Sequence, residues 1–171
     1  MIINRIWAMP NMWTFKIKPI KKLLDKYVGD GKDWIDPFGG MNSPAEYSND
    51  LNSKMPTAYH MRADVFISSF KDRKFKGIIY DPPYSLRQIS ECYKKAGMLV
   101  TMQDTQGQAL KANDKSYISK QIISGGYAIS CGWNTNGFGK KNGFEIIEIL
   151  LVAHGGAHND TIVTVEKRLI K

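Results

Sequence analysis

Residues 76–85 read KGIIYDPPYS, an apolar run that stops abruptly on a carboxylate and two prolines. A short, continuous apolar run is the pattern of a strand covered on both faces, as in a parallel sheet flanked by helices. Proline lacks the N–H that a ladder needs, and the Pro-Pro pair restricts both residues to extended geometry. The strand must therefore end at Asp81, and Asp81, Pro82, Pro83 and Tyr84 form a rigid corner at the rim of the sheet.

The rest of the chain alternates in a compatible way. IKPIKKLLDKYV (17–28) places Ile20, Leu23, Leu24, Tyr27 and Val28 at helical spacing opposite lysines, with Pro19 suited to the first turn and Gly29 to the stop. DWID (33–36) and AEYSNDLN (45–52) read as short strands, ADVFISSF (63–70) as a turn or short helix, and LRQISECYKKA (86–96) as a helix. Residues 98–116 are a polar excursion containing Gly107. DKSYISKQIISGG (114–126) predicts a helix capped by Asp114 and stopped by Gly125, followed by the strand YAISCGW and a Gly/Asn-rich loop at 134–143. FEIIEILLVA and DTIVTVEKRLI flank HGGAHN as an antiparallel hairpin. The expected fold is a single α/β domain over 1–171, Rossmann-like, with a mostly parallel twisted sheet and an antiparallel C-terminal hairpin at its edge.

A net charge of +8 suits a polyanionic partner such as nucleic acid, or serves solubility alone. Cys92 and Cys131 lie far apart and His60, His154 and His158 are scattered, so free thiols and no metal site are expected. MIINRIWAMPNMW lacks an apolar signal core, and IIEILLVA is too short to span a bilayer. A cytoplasmic protein without membrane contact is the expectation.

In open α/β sheets ligands bind beyond the carboxyl ends of the strands. DPFGG, NDLN, RADVF and DPPYS all follow strands or open connections, and are expected to meet there. The glycines after Asp36 allow close backbone approach to a ligand, or simply a tight turn. Asp50 suits ribose hydroxyls, or terminates a strand as an Asx turn. Asp64 could accept from a purine amine beside Val65 and Phe66, or cap a helix. Asp81 and the Pro82 carbonyl offer two acceptors for the protons of an exocyclic amine, whose lone pair is otherwise delocalised into its ring. Tyr84 offers a face for a planar base; alternatively the stretch is a Pro-rich turn capping the strand, with Tyr84 as ordinary packing.

DPPY resembles the catalytic motif of amino-group DNA methyltransferases that use S-adenosylmethionine, and DPFGG resembles their cofactor loop. FKIKPIKKLLDKYV is similar to the Lys-Pro motif that precedes that loop, and GGYAISCGW and FEIIEILLVAH to the family's late strands. The resemblance spans about residues 12–170 in the family's order. It implies a seven-stranded methyltransferase sheet, a base flipped out of its duplex, and an acid-first tetrapeptide directed at adenine N6. It assigns Asp81, Pro82, Pro83 and Tyr84 to catalysis. Phe15, Lys18, Pro19, Asp36, Pro37, Phe38, Gly39, Asp50, Leu51, Asp64 and Val65 are assigned to the cofactor. The segment after the loop is shorter than the family's, and no separate target-recognition domain is visible. That work would fall to 98–116, to 134–143 or to a second subunit, in a homodimer or with a different partner. Ser85, Lys111, Lys115, Lys120, Lys140 and Lys141 are the expected contacts to nucleic acid. RNA methylation and a non-catalytic subunit of a heteromeric enzyme are the alternatives. Restriction-modification, regulation or self-marking by a phage or mobile element would be its setting.

Overall fold

The apolar stripe at 17–28 becomes helix α1 (Lys18–Tyr27), which buries Ile20, Leu23 and Leu24 and ends before Gly29, whose φ of 62° suits a residue without a Cβ. The computed structural model describes residues 1–97, 99 and 112–170. The polar excursion therefore lies largely outside the described residues, Lys111 with it.

The central strand is β4 (Phe75–Tyr80), buried at every position but Lys76. It lies between β2 (Trp34–Asp36) and β5 (Ile122–Gly132), parallel to both. Gly77 is required there: a Cβ would stand 2.5 Å from the Trp34 ring, which fills that space. β3 (Tyr47–Ser48) pairs parallel with β2 on its far side. On the other flank, β6 (Phe144–Ala153) and β7 (Thr161–Arg168) form the expected antiparallel hairpin. The full order is β1-β6-β7-β5-β4-β2-β3.

Three expectations need correction. β1 (Ile2–Trp7) was not foreseen; it runs parallel to β6 as the outermost strand, so the hairpin is not at the edge, and the antiparallel strand β7 lies between β6 and β5. Its six residues are all exposed, so IINRIW lacks the one-sided alternation that marks a half-buried strand. Its place is fixed by pairing and by Asn4, which reaches buried Glu148. Glu148 also accepts from Lys26 and Tyr27, each at 2.6 Å. The helix expected over 114–126 is α4 (Ala112–Gln121), and β5 begins at Ile122. Arg168 caps its end by donating to the carbonyls of Ser119 and Ile122. Gly125 and Gly126 lie within β5, where the register shifts. A Cβ on Gly126 would meet the Lys76 carbonyl at 2.6 Å.

α1 covers one face of the sheet, with Trp34, Ile79, Ile129 and Val163 beneath it. α2 (Ala63–Ser68), α4 and Phe138 cover the other, over Ile35, Ile78 and Ala128. α3 (Leu86–Lys95) follows the Pro-Pro corner. After β2 the chain turns outward to β3, then returns to place β4 on the opposite side of β2. That reversal opens a crevice at the carboxyl ends of β2 and β4, where Asp36 and Asp81 emerge. Among the described residues no helix is long and apolar enough to cross a membrane.

Candidate active site

Asp36 ends β2 fully buried, and its carboxylate folds the loop after it. Oδ1 accepts from the Phe38 N–H at 3.0 Å and Oδ2 from the Ser43 hydroxyl at 2.6 Å. Burial pushes its pKa up to about 7 against those donors, and the charges of Asp81 and Asp50 push the same way. Asn49, also fully buried, braces the loop from the next strand. Its Nδ2 donates to the carbonyls of Pro37 (3.0 Å) and Met61 (2.9 Å), and its Oδ1 accepts from the Met61 N–H. Gly39 donates to the Asn49 carbonyl at 2.7 Å and is packed so closely that a Cβ would lie 3.0 Å from Ser43.

Asp50 accepts from the N–H groups of Asn52 (2.7 Å) and Gly40 (3.2 Å), and burial raises its pKa in spite of them. Asp64, in the first turn of α2, pairs with Arg62. Burial pushes its pKa up, but the Arg62 guanidinium outweighs that and holds it below the usual value. Across the crevice, Asp81 accepts a hydrogen bond from the Tyr84 hydroxyl, yet burial still raises its pKa. The Tyr84 ring lies 5.7 Å from Trp133, which is 44% exposed at the end of β5.

These groups surround one cavity of about 760 Å³. Pro37, Phe38 and Gly40 supply one wall, Asp50, Leu51 and Asp64 a second, and Asp81 through Tyr84 a third. Met12, Trp13 and Thr14 close it on the fourth side. The volume lies in the upper range for small-molecule sites.

No protein-family model matches this chain, and no curated protein matches it. Solved structures do. TrmN from Thermus thermophilus superposes with a TM-score of 0.53 at 15% identity, covering 90% of this chain and 49% of TrmN. A putative methyltransferase, yhhF from Escherichia coli, gives 0.53 at 9% identity and covers 96% of this chain and 92% of its own. A putative SAM-dependent methyltransferase from Streptococcus mutans gives 0.51 at 12% identity, over 87% of this chain and 48% of that one. The fold is the Rossmann-like methyltransferase fold. The chain spans about half the length of TrmN.

Within that methyltransferase fold, Pro37, Phe38, Asp50, Leu51, Asp64, Asp81, Pro82, Pro83 and Tyr84 line the cavity. Others do not. Asp36 and Gly39 lie behind its wall, and Val65 is half-exposed on α2 outside the lining. Phe15 is buried in the core under α1, and Lys18 and Pro19 open that helix without reaching the cavity. The Lys-Pro segment instead presents its preceding residues, Met12 to Thr14.

The expected nucleic-acid contacts change more. Ser85 caps α3 by accepting from the Gln88 N–H at 3.2 Å. Lys115 is turned inward: it donates to the Gly137 carbonyl and lies 4.5 Å from the centre of the Tyr80 ring. Lys120 precedes β5, and Lys140 and Lys141 precede β6, at the amino ends of strands parallel to β4. These three therefore stand at the rim opposite the cavity. Lys95, Arg62 and Gln88, which sequence reasoning passed over, line its mouth. Among the described residues no cluster of His, Cys, Asp and Glu could hold a metal ion.

Proposed function

We propose that this chain transfers a methyl group from S-adenosylmethionine to the N6 amine of adenine in DNA, with the target base swung out of its stack into the cavity. The observation that carries this reading is the pairing across one cavity of the Asp81-Pro82-Pro83-Tyr84 corner with the Asp36–Gly40 loop and Asp50. The volume accommodates a nucleoside cofactor and one base together. Asp50 keeps lone pairs for ribose hydroxyls beyond its two N–H donors. Asp64 and Ala63 would meet the cofactor's purine, and Phe38 its apolar face. When bound, S-adenosylmethionine supplies a methyl group on a positively charged sulfur.

The chain's own contribution is mostly positioning. Asp81 and the Pro82 carbonyl accept the two protons of the amine, which draws the nitrogen toward tetrahedral geometry and localises its lone pair. With a methyl donor held by the Asp36–Gly40 loop and Asp50, an Asp81 oxygen would take up the amine proton that is lost as the nitrogen is methylated. Tyr84 gives the base an aromatic wall. Basic groups at the mouth, Lys95 and Arg62, suit the flanking phosphates.

Incubation with methyl-labelled cofactor and matched adenine-bearing DNA and RNA oligomers tests this. Label recovered as N6-methyladenine from DNA is the expected result. Label recovered only from RNA would replace the substrate. No transfer and no cofactor binding would mark the chain as a non-catalytic subunit.

A further inference from the structure

The two edges of the sheet are finished differently. β3 is two residues long, and its Ser48 carbonyl already accepts from the Tyr59 N–H at 3.1 Å. β1 is six residues long, without proline or bulge, and Arg5 is its single charge. Proline, bulges and charges are what keep an edge from pairing with another chain, so β1 is poorly protected. The Ala8 N–H donates to the Ala153 carbonyl at 3.0 Å, so the even-numbered residues turn their backbone groups toward β6. The N–H and C=O groups of Ile3, Arg5 and Trp7 therefore point outward, with no strand beside them among the described residues. Side chains alternate as well. Asn4 reaches Glu148 on the α1 side, so Ile2 and Ile6 share that face, while Ile3 and Trp7 take the other. Of the sixteen large apolar side chains exposed among the described residues, six lie within the first nine positions, which marks an interaction surface and not scattered exposure. At roughly 100 Å² each they present about 600 Å², the lower end of what one partner brings to a specific interface.

We propose that β1 pairs antiparallel with β1 of a second copy, joining two seven-stranded sheets into one across a two-fold axis. A strand added at this edge must be apolar on both faces, and IINRIW is itself such a strand. With the axis perpendicular to the sheet, opposed residues share a face, so even positions meet even ones and odd meet odd. Two registers then use most of the strand. One sets Arg5 directly against the partner's Arg5, which like charge disfavours. The other opposes Ile2 to the partner's Ile6, Ile3 to the partner's Arg5, and Asn4 to its own counterpart on the axis. In that register Ile3 and Arg5 exchange their outward backbone hydrogen bonds, and Asn4 stands in a non-hydrogen-bonded pair with Cα atoms about 4.5 Å apart. β6, β7 and β5 lie between this edge and the strand that carries Asp81, so each copy keeps its own cavity.

Sedimentation equilibrium of the full chain from about 1 to about 100 μM tests this, the range in which interfaces of this size associate. The parental chain should approach twice its 19.4 kDa mass as concentration rises. Ile3→Lys sets a cation against the partner's Arg5 at two symmetric places and should weaken the dimer at least about tenfold. Ile3→Glu sets an acid there and should associate at least about tenfold more tightly than the lysine variant. Ile3 is 65% exposed, so both variants should keep the parental circular dichroism. A covalent test needs neither: Asn4→Cys, combined with Cys92→Ser to remove the exposed native thiol, should give a reducible chain-to-chain disulfide on mild oxidation. The same background with Asn4 retained should give none. A parental chain that stays monomeric throughout overturns the proposal, as does a dimer untouched by Ile3→Lys. A glutamate variant no tighter than the lysine one, or an Asn4→Cys chain that forms no crosslink, overturns it equally.

Discussion

The Asp36 loop and the Asp81 corner face each other across the cavity, and they are held in unlike ways. A mesh of hydrogen bonds holds the first: Asp36 and Asn49 bond the loop's backbone at Phe38 and Pro37, Ser43 donates to Asp36, and Asn49 ties the loop to Met61. Covalent stiffness holds the second: Pro82 and Pro83 fix the chain, and the Asp81 carboxylate stands at the cavity wall, accepting from the Tyr84 hydroxyl. Residues that look alike as strand-terminal acids thus do different work. Asp36 shapes a wall from behind; Asp81 is the acid that faces the space.

That contrast can be broken in graded steps. Asp81→Ala should lower methyl transfer by about a thousandfold or more, with calorimetric affinity for S-adenosylmethionine within about threefold of the parental chain. A variant with near-normal turnover would remove Asp81 from the chemistry. Asn49→Ala should act on the other wall. It leaves the Met61 N–H and the carbonyls of Pro37 and Met61 without the Asn49 side chain, at a cost of about 2–4 kcal/mol in urea unfolding, with cofactor affinity falling alongside.

Asp36→Asn sharpens the comparison through pH. Asp36 in the folded chain titrates at about 7, against 3.8 for an unperturbed Asp. Between those values the folded state holds more protons than the unfolded state, so stability falls as pH rises from about 4 to about 8. Asparagine cannot ionise and should flatten that slope, with a gain on the order of 2 kcal/mol at the alkaline end in thermal unfolding. A slope undiminished by the substitution would place the titration at Asp50 and Asp81, whose pKa values burial also raises. The smallest effect is expected from Lys140→Ala with Lys141→Ala at the opposite rim, which should leave DNA affinity within about twofold, whereas Lys95→Ala at the mouth should weaken it and flatten its salt dependence. The reverse ranking would move the nucleic-acid surface to the other end of the sheet.

What could be read from the sequence follows from the same physics. The apolar run at 78–80 and the Pro-Pro stop define β4 and its rim locally, and strand alternation brings Asp50 and Asp64 to that rim without tertiary knowledge. The burial of Asp36 was not legible, because it depends on Ser43 and Asn49 folding back over it. Nor were the roles of Met12 to Thr14. Their neighbours Phe15 and Pro19 carry the familiar pattern, while the chain's turn into α1 decides which of them reaches the cavity. The lysines were misplaced for a simpler reason: a charge carries no direction, and only the parallel course of β5 and β6 puts Lys120, Lys140 and Lys141 at the far rim. β1 escaped notice since a strand exposed on both faces has no period to detect.

The most direct test is a crystal structure of the chain with S-adenosylhomocysteine and an adenine-bearing DNA oligomer. The account predicts an extruded adenine whose N6 lies about 2.6–3.2 Å from an Asp81 oxygen and from the Pro82 carbonyl, with the cofactor's ribose on Asp50. An adenine bound elsewhere, or an Asp81 carboxylate turned from the base while the cofactor fills the cavity, would contradict it.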